Sequence, residues 1–272
     1  MERSTWRRVL GRGGIGVLVP LAGILTVPAV AGASAHDAGS ASCYSSDHCW
    51  GVDSADPVTS SLVASVEDDL GTPDFWGRYL TAAGSDASPL SSSELGVLSD
   101  NGMGVLLIAA DLGPDDVDTT GSAAVSDADG VADQAASAAE SLGIPDDGTV
   151  AVFADIEASW NPSSDWISAY ADEITADGYV AGFYGSPLNS FDSAFCTASD
   201  DDTNVYSAIV WSQNHSVNGT SAESSSPDFA PVPTSCAGGS TEFWQYALSS
   251  GSTPNVDEDE TQSADEQYLY YP

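Results

Sequence analysis

The sequence predicts an α/β protein built as a single irregular (β/α) barrel of the TIM type, and three observations predict it. From Trp50 onward, short apolar runs rich in Val, Ile, Leu and Phe alternate with segments of helical periodicity, the pattern of βα units around a parallel sheet. Beyond Gly185 the rhythm breaks, and the rest of the chain reads mostly as strands in a polar background. Of the 272 residues, about 230 remain for this domain once the N-terminal segment is set aside, the size of one barrel. An open doubly wound sheet is the alternative, although no Gly-x-Gly-x-x-Gly or phosphate loop supports a nucleotide-binding one.

Residues 1–35 read as an export signal. Arg3, Arg7, Arg8 and Arg12 precede an apolar stretch from Ile15 to Val30, and Ala33-Ser34-Ala35 supplies small residues for cleavage. Gly14, Gly16, Pro20, Gly23 and Pro28 interrupt that stretch, which argues against a membrane anchor. Thr5-Trp6-Arg7-Arg8-Val9-Leu10 resembles a twin-arginine signal, with an ordinary secretory signal the equal alternative. Both readings put the mature protein outside the cytoplasm. Residues 36–49 are small and polar and read as an arm, and 50–272 as the barrel domain.

Within that domain Trp50–Ser54 reads as the first strand, and Val58–Leu70 as a helix closed by Gly71. Phe75–Leu80 is the second strand, followed by a helix over Ser91–Ser99 that ends at Asn101-Gly102. Gly104–Ala110 is a buried strand, and an Ala-rich helix over Asp127–Leu142 ends at Gly143. Val150–Ile156, the helix Ser164–Ala176 and Tyr179–Tyr184 complete five strands. Val205–Gln213 and Thr241–Ala247 look like later strands, with no convincing long helix in the Ser-, Asn- and Pro-rich stretch between them.

Charge narrows the function. The chain carries 41 Asp+Glu against five Lys+Arg, a formal net charge of −36. Four of the five cationic residues lie in the export signal, so beyond it Arg78 stands alone and there is no lysine. Such a surface cannot neutralise phosphates, which excludes nucleic acid and anionic membrane surfaces as partners. It also repels itself, and only salt relieves that, because the Debye length shrinks to ~3 Å at 1 M. A halophilic or salt-tolerant source is the expectation. The melting temperature should then rise between low and molar NaCl; a flat or falling one would count against it.

The four cysteines fit an oxidising compartment, and the expected bridges are Cys43 with Cys49 and Cys196 with Cys236. Zinc is a weak alternative, with no Cys-x-x-Cys and with His36, His48 and His215 scattered. No metal or cofactor is expected, and a monomer is.

The candidate chemistry sits at strand ends, which converge on one mouth in a barrel. Asp155 and Glu157 end the fourth strand two residues apart, so the period of two sends both to the same side. Asp53 closes the first strand, Arg78 lies in the second, Tyr184 closes the fifth, Trp244-Gln245-Tyr246 occupies the last, and Asp257 comes soon after. Carboxylates among aromatic walls suit sugar chemistry. Glycosidic cleavage needs a proton donor opposite a charge stabiliser, and sugar faces stack on aromatic rings. Arg78 reads first as a structural ion pair inside the barrel, with Asp53 or Asp155, and second as a clamp on an anionic substrate group. Tyr184, Trp244 and Tyr246 are the candidate substrate platforms.

Gly51-Val52-Asp53, Phe75-Trp76-Gly77-Arg78-Tyr79-Leu80, Ala154-Asp155-Ile156-Glu157, Gly178 to Gly185, Phe243-Trp244-Gln245-Tyr246 and Val256-Asp257 together resemble a known family. It is the secreted glycoside-hydrolase-like barrel domain related to glycoside hydrolase family 25 lysozymes. The resemblance implies a (β/α)5β3 barrel and, in the lysozyme relatives, muramidase activity on peptidoglycan. It implies Glu157 as proton donor, Asp155 as the residue that steers or stabilises the substrate, and Asp53 and Asp257 as their supports. Where the lysozymes follow the first aspartate with an aromatic turn, this chain has Ser54-Ala55-Asp56-Pro57. The expected function is a secreted glycosidase acting on cell-wall or extracellular polysaccharide. The competing reading is a non-catalytic barrel that binds a glycan or another surface ligand through the same mouth.

Overall fold

The structure, a computed structural model, describes residues 48–82, 87–109, 112–249, 254–262 and 264–272. The expected export signal, most of the expected arm and Cys43 lie outside those residues. The first strand, β1 (His48–Asp53), starts just ahead of the expected Trp50 and is followed by α1 (Ser60–Asp69). Then come β2 (Phe75–Tyr79), α2 (Ser92–Asp100), β3 (Gly104–Ala109), α3 (Pro114–Val117) and α4 (Ser122–Ser141). The fourth and fifth units are β4 (Ala151–Asp155) with α5 (Ser164–Ala176) and β5 (Val180–Gly185) with α6 (Ser190–Asp201) and α7 (Thr203–Tyr206). Three strands complete the chain: β6 (Ile209–Gln213), β7 (Ser240–Ala247) and β8 (Asp257–Gln262).

All eight strands close into one barrel in sequence order. Neighbours from β1 to β7 pair in parallel, whereas β8 is antiparallel to both β7 and β1. Five βα units and three further strands give the expected (β/α)5β3 architecture. The reversed β8 has a direct consequence. Its first residue, Asp257, lies at the end of the barrel where the other strands finish, in register with Asp53.

The period-two alternation of strands splits the core in two. Inside the barrel, Phe75, Phe153, Trp211 and Phe243 meet edge to face, with ring centroids 5.3 to 6.1 Å apart, and plug the lumen. Glycines make room for this plug, since a Cβ on Gly51 would lie 2.4 Å from the Phe75 ring. Outside, Val52, Trp76, Val105, Leu107, Val152 and Phe183 pack beneath the helices.

Helix starts obey capping chemistry. Thr59 and Ser163 accept from the backbone N–H of Leu62 and Trp166, and Ser91 with Glu94 forms a capping box at α2. Helix α6 is not among the expected elements, although Phe191, Ala194, Phe195 and Ala198 carry the helical spacing and are all buried. Strand β8 is not among them either, so the last strand of the barrel is β8 and not the expected β7. The Cys196–Cys236 disulfide ties α6 to the segment ahead of β7, with the two Cα atoms 5.4 Å apart. Cys49 is also disulfide-bonded. Among the described residues, no helix is long and apolar enough to cross a membrane.

Candidate active site

Above the aromatic plug, the strand ends surround a cavity of about 170 Å³. Asp53, Asp155, Glu157, Tyr184 and Asp257 all line it, as expected. Asp155 is the last residue of β4, and Glu157 lies just past the strand on the exposed rim. Asp53 ends β1, and its position depends on Gly77 next door. A Cβ there would come within 2.6 Å of the Asp53 Cβ, so only glycine leaves the carboxylate its place.

Three of the expected residues are elsewhere. Gly77 and Tyr79 face inward, so alternation turns Arg78 outward, away from Asp53 and Asp155. It is fully buried beneath α2, where its Nε donates to Glu94 Oε1 at 2.8 Å. Its Nη1 donates to the carbonyls of Ser54 and Ala55 at 2.5 and 3.2 Å, and its Nη2 to that of Ser88 at 2.8 Å. Arg78 thus clamps the Ser54–Pro57 turn that comes after Asp53, and the substrate-binding role expected for it has no geometric basis. Trp244 and Tyr246 are displaced for the same reason, since Phe243 and Gln245 take the inward positions of β7. The Trp244 indole donates to Asn214 O at 2.7 Å, and the Tyr246 hydroxyl accepts from Trp50 Nε1 at 2.8 Å. Both are buried on the outer face and cannot stack on a sugar in the cavity.

Breaking the Arg78–Glu94 pair leaves a carboxylate stranded in the core, where such losses cost about 3–5 kcal/mol. Arg78→Met is therefore expected to lower the melting temperature by on the order of 10 °C. Calorimetric unfolding of the two forms checks this, and an unchanged temperature would show the clamp to be dispensable.

Beside the expected Tyr184, the aromatic walls come from two residues outside the expected set, Tyr79 and Trp211. Tyr79 donates its hydroxyl proton to Asp155 Oδ2 at 3.1 Å, and Trp211 donates to Asp259 Oδ1 at 3.1 Å. The Tyr184 hydroxyl donates to Gln245 Oε1 at 2.6 Å and accepts from Gln213 Nε2 at 2.5 Å. Gln213 Nε2 also donates to Glu157 Oε2 at 3.3 Å, and Gln245 Nε2 to Asp53 Oδ2 at 2.8 Å. A continuous hydrogen-bonded chain therefore links Glu157 at the rim to Asp53 below. Because Gln245 donates to Asp53, its carbonyl is the acceptor, and His215 Nε2, 3.1 Å away, is the donor to it. Parity alone could have found Tyr79, Gln213 and Gln245, each two residues from an inward-facing neighbour.

Dry surroundings dominate the electrostatics. Burial, reinforced by repulsion from Asp257, pushes the Asp53 carboxyl up to about 8. Burial and then repulsion from Glu157 push Asp155 up to about 7, against the opposing Tyr79 hydrogen bond. Burial also raises Asp257, and raises Asp259 well above the usual carboxylate range with Asp53 as its nearest repulsive neighbour. Asp53 and Asp259 stand close enough for the Asp53 charge to add to burial in raising Asp259.

Known proteins share this architecture. A family model described as "Rv2525c-like, glycoside hydrolase-like domain" matches residues 73–261. Among solved structures, an uncharacterized protein of B. stearothermophilus is 29% identical with a TM-score of 0.72, over 82% of this chain and 100% of that one. The Mycobacterium tuberculosis Tat-secreted protein Rv2525c, in complex with L-tartrate, is 18% identical with a TM-score of 0.51, over 79% of this chain and 94% of that one. The Clostridium perfringens spore cortex lytic enzyme SleM is 13% identical with a TM-score of 0.53, over 80% of this chain and 68% of that one. The latter two show a shared fold. A comparison with curated proteins returns no match.

Proposed function

Because the chain belongs to the Rv2525c-like, glycoside hydrolase-like domain family, we propose that its barrel mouth hydrolyses a glycosidic bond in a cell-wall or extracellular polysaccharide. The observation that carries this reading is the gathering of Asp53, Asp155, Glu157 and Asp257 around one cavity above an aromatic floor. Glu157 is the proton donor. It stands on the exposed rim, where a leaving sugar can reach it, and its Oε2 is engaged by Gln213, which leaves Oε1 to carry the proton.

As the C–O bond breaks, that proton goes to the departing oxygen and positive charge builds on the sugar ring. Asp155 then stabilises the charge, since a carboxylate in a dry site is strongly favoured by a cation at close range. Water completes the cleavage, its hydroxyl ending on the anomeric carbon and its proton restoring Glu157. Asp53 and Asp257, paired in register across β1 and β8, support Asp155 from the same cavity.

Export is part of the same proposal. The arginine-led apolar segment at the N-terminus and the Cys196–Cys236 bridge support an extracytoplasmic site of action. The test is incubation with a panel of wall and extracellular glycans in molar NaCl, assayed for new reducing ends. At least one glycan should be cleaved. Saturable binding with no turnover across the panel would instead favour the non-catalytic barrel.

A further inference from the structure

Most side-chain N–H and O–H groups of the cavity wall are already committed, to one another or, for Trp211, to Asp259 outside the lining. Tyr79 donates to Asp155, Trp211 to Asp259, Tyr184 to Gln245, Gln245 to Asp53, and Gln213 to both Tyr184 and Glu157. The wall therefore turns oxygen toward a ligand, chiefly the carboxyl groups of Asp53, Asp155, Glu157 and Asp257. Gln213 adds another acceptor. The residue is 8% exposed, and its Oε1 is buried without a hydrogen-bond partner, because the amide N–H groups are the ones committed to Tyr184 and Glu157. A buried acceptor left unmatched is costly, and a ligand donor would relieve it.

No fixed cation answers these acceptors. Arg78, the one Arg or Lys after residue 12, is committed to Glu94 outside the barrel. His215 approaches from the rim with its Nε2 on Gln245. The carboxylates are also too spread to cage a bare ion. Among the described residues, the set of three acidic side chains with ligand atoms within 4.8 Å of one another is Asp133, Glu173 and Asp177, on and beside the outer helices. A wall of separated acceptors fits a ligand that brings several donors and a positive charge on an organic frame.

We infer that the cavity takes a sugar unit bearing a free amino group, held as its ammonium among Asp53, Asp155 and Glu157, and turns away uronic acids and other anionic sugars. The inference rests on the reading of this cavity as a glycan subsite and names the substrate class for it. Burial and then repulsion, from Asp257 on Asp53 and from Glu157 on Asp155, work against negative charge in the cavity; a positive charge seated there offsets that repulsion, whereas a second anion adds to it.

Isothermal titration with three disaccharides tests this: glucosamine disaccharide with free amines, its N,N′-diacetyl form, and digalacturonate, each at low and at molar NaCl. The free-amine sugar should bind at one site, at least about tenfold more tightly than the diacetyl form at low salt. That gap should narrow at 1 M NaCl, where the Debye length is ~3 Å. Asp155→Asn and Gln213→Met should each narrow it as well, and digalacturonate should not bind. The inference is overturned by equal or tighter binding of the diacetyl sugar, by one-site binding of digalacturonate, or by no binding of any of the three. An amine preference spread over several sites and unchanged in both variants also overturns it, since that is attraction to the acidic surface. Hydrolysis is scored separately. One-site amine preference without new reducing ends keeps the inference and removes the hydrolase; cleavage of an acetylated glycan without amine preference does the reverse.

Discussion

Glu157→Gln should cut the release of reducing ends by about 10²–10⁴-fold, the usual contribution of a positioned general acid. Glutamine keeps the shape of the side chain, and its amide oxygen can still accept the 3.3 Å contact from Gln213, so the rim should hold its geometry. It lacks only a transferable proton. The loss should fall on kcat with KM little changed, because binding does not require the proton and bond breaking does. A substrate whose leaving group departs without protonation should recover much of the activity in the variant. That recovery separates a missing acid from a damaged site. Wild-type kcat in Glu157→Gln would remove the proposed role.

Stability should fall, not rise, as pH climbs from 5 to 8. Carboxylates that are salt-bridged in the native state usually give the opposite trend, but here the site's carboxyls have little opposite charge. Asp53 is pushed to about 8 and Asp155 to about 7, each mainly by burial, from an ordinary 3.8; on the outer face burial likewise pushes Glu260 from 4.5 to about 7, although His48 Nε2 lies 3.4 Å from its Oε1. Between roughly pH 4 and 8 the folded protein therefore holds protons that the unfolded chain has released. Stability that is fully present below the unfolded values is lost as pH rises through the folded ones. The loss should be several kcal/mol, since each tenfold difference in proton affinity between the two states corresponds to ~1.4 kcal/mol. These groups titrate together, so their contributions do not simply add.

A fall in melting temperature on the order of 10 °C between pH 5 and pH 8 is the expected reading. Measurement in molar NaCl suppresses the repulsion of the acidic surface, which has the same sign. Asp53→Asn should flatten the slope, since asparagine keeps a polar group of the same shape that never ionises. A melting temperature that is constant or rises over this range would refute the account.

Much of the site was legible because strand ends are easy to see in sequence. The run Val150–Ile156 is apolar and β-prone, and its abrupt end in Asp155 and Glu157 marks the mouth without any tertiary information. Which face a neighbouring residue occupies was not legible at the same level. Arg78, Trp244 and Tyr246 are each one residue away from an inward-facing position, and a one-residue step on a strand reverses the side chain. Chemical type drew attention to arginine and tryptophan, whereas alternation selected Tyr79 and Gln245. The strand β8 was hidden for another reason. Asp-Glu-Asp-Glu-Thr-Gln has no apolar periodicity, and such a segment reads as a solvated loop unless a partner on each side supplies its backbone hydrogen bonds.

By itself the sequence determined the barrel class, the five βα units, and the three strand ends that deliver Asp53, Asp155, Glu157 and Tyr184. All of these rest on local periodicity and strand termination, which neighbouring residues encode. Only the tertiary structure decided that β8 runs backwards between β7 and β1. That reversal sets Asp257 opposite Asp53, buries Asp259 beneath it, and turns Glu258 and Glu260 to the outer face. Barrel closure is a pairing between the two ends of the domain, and no window along the chain contains both partners.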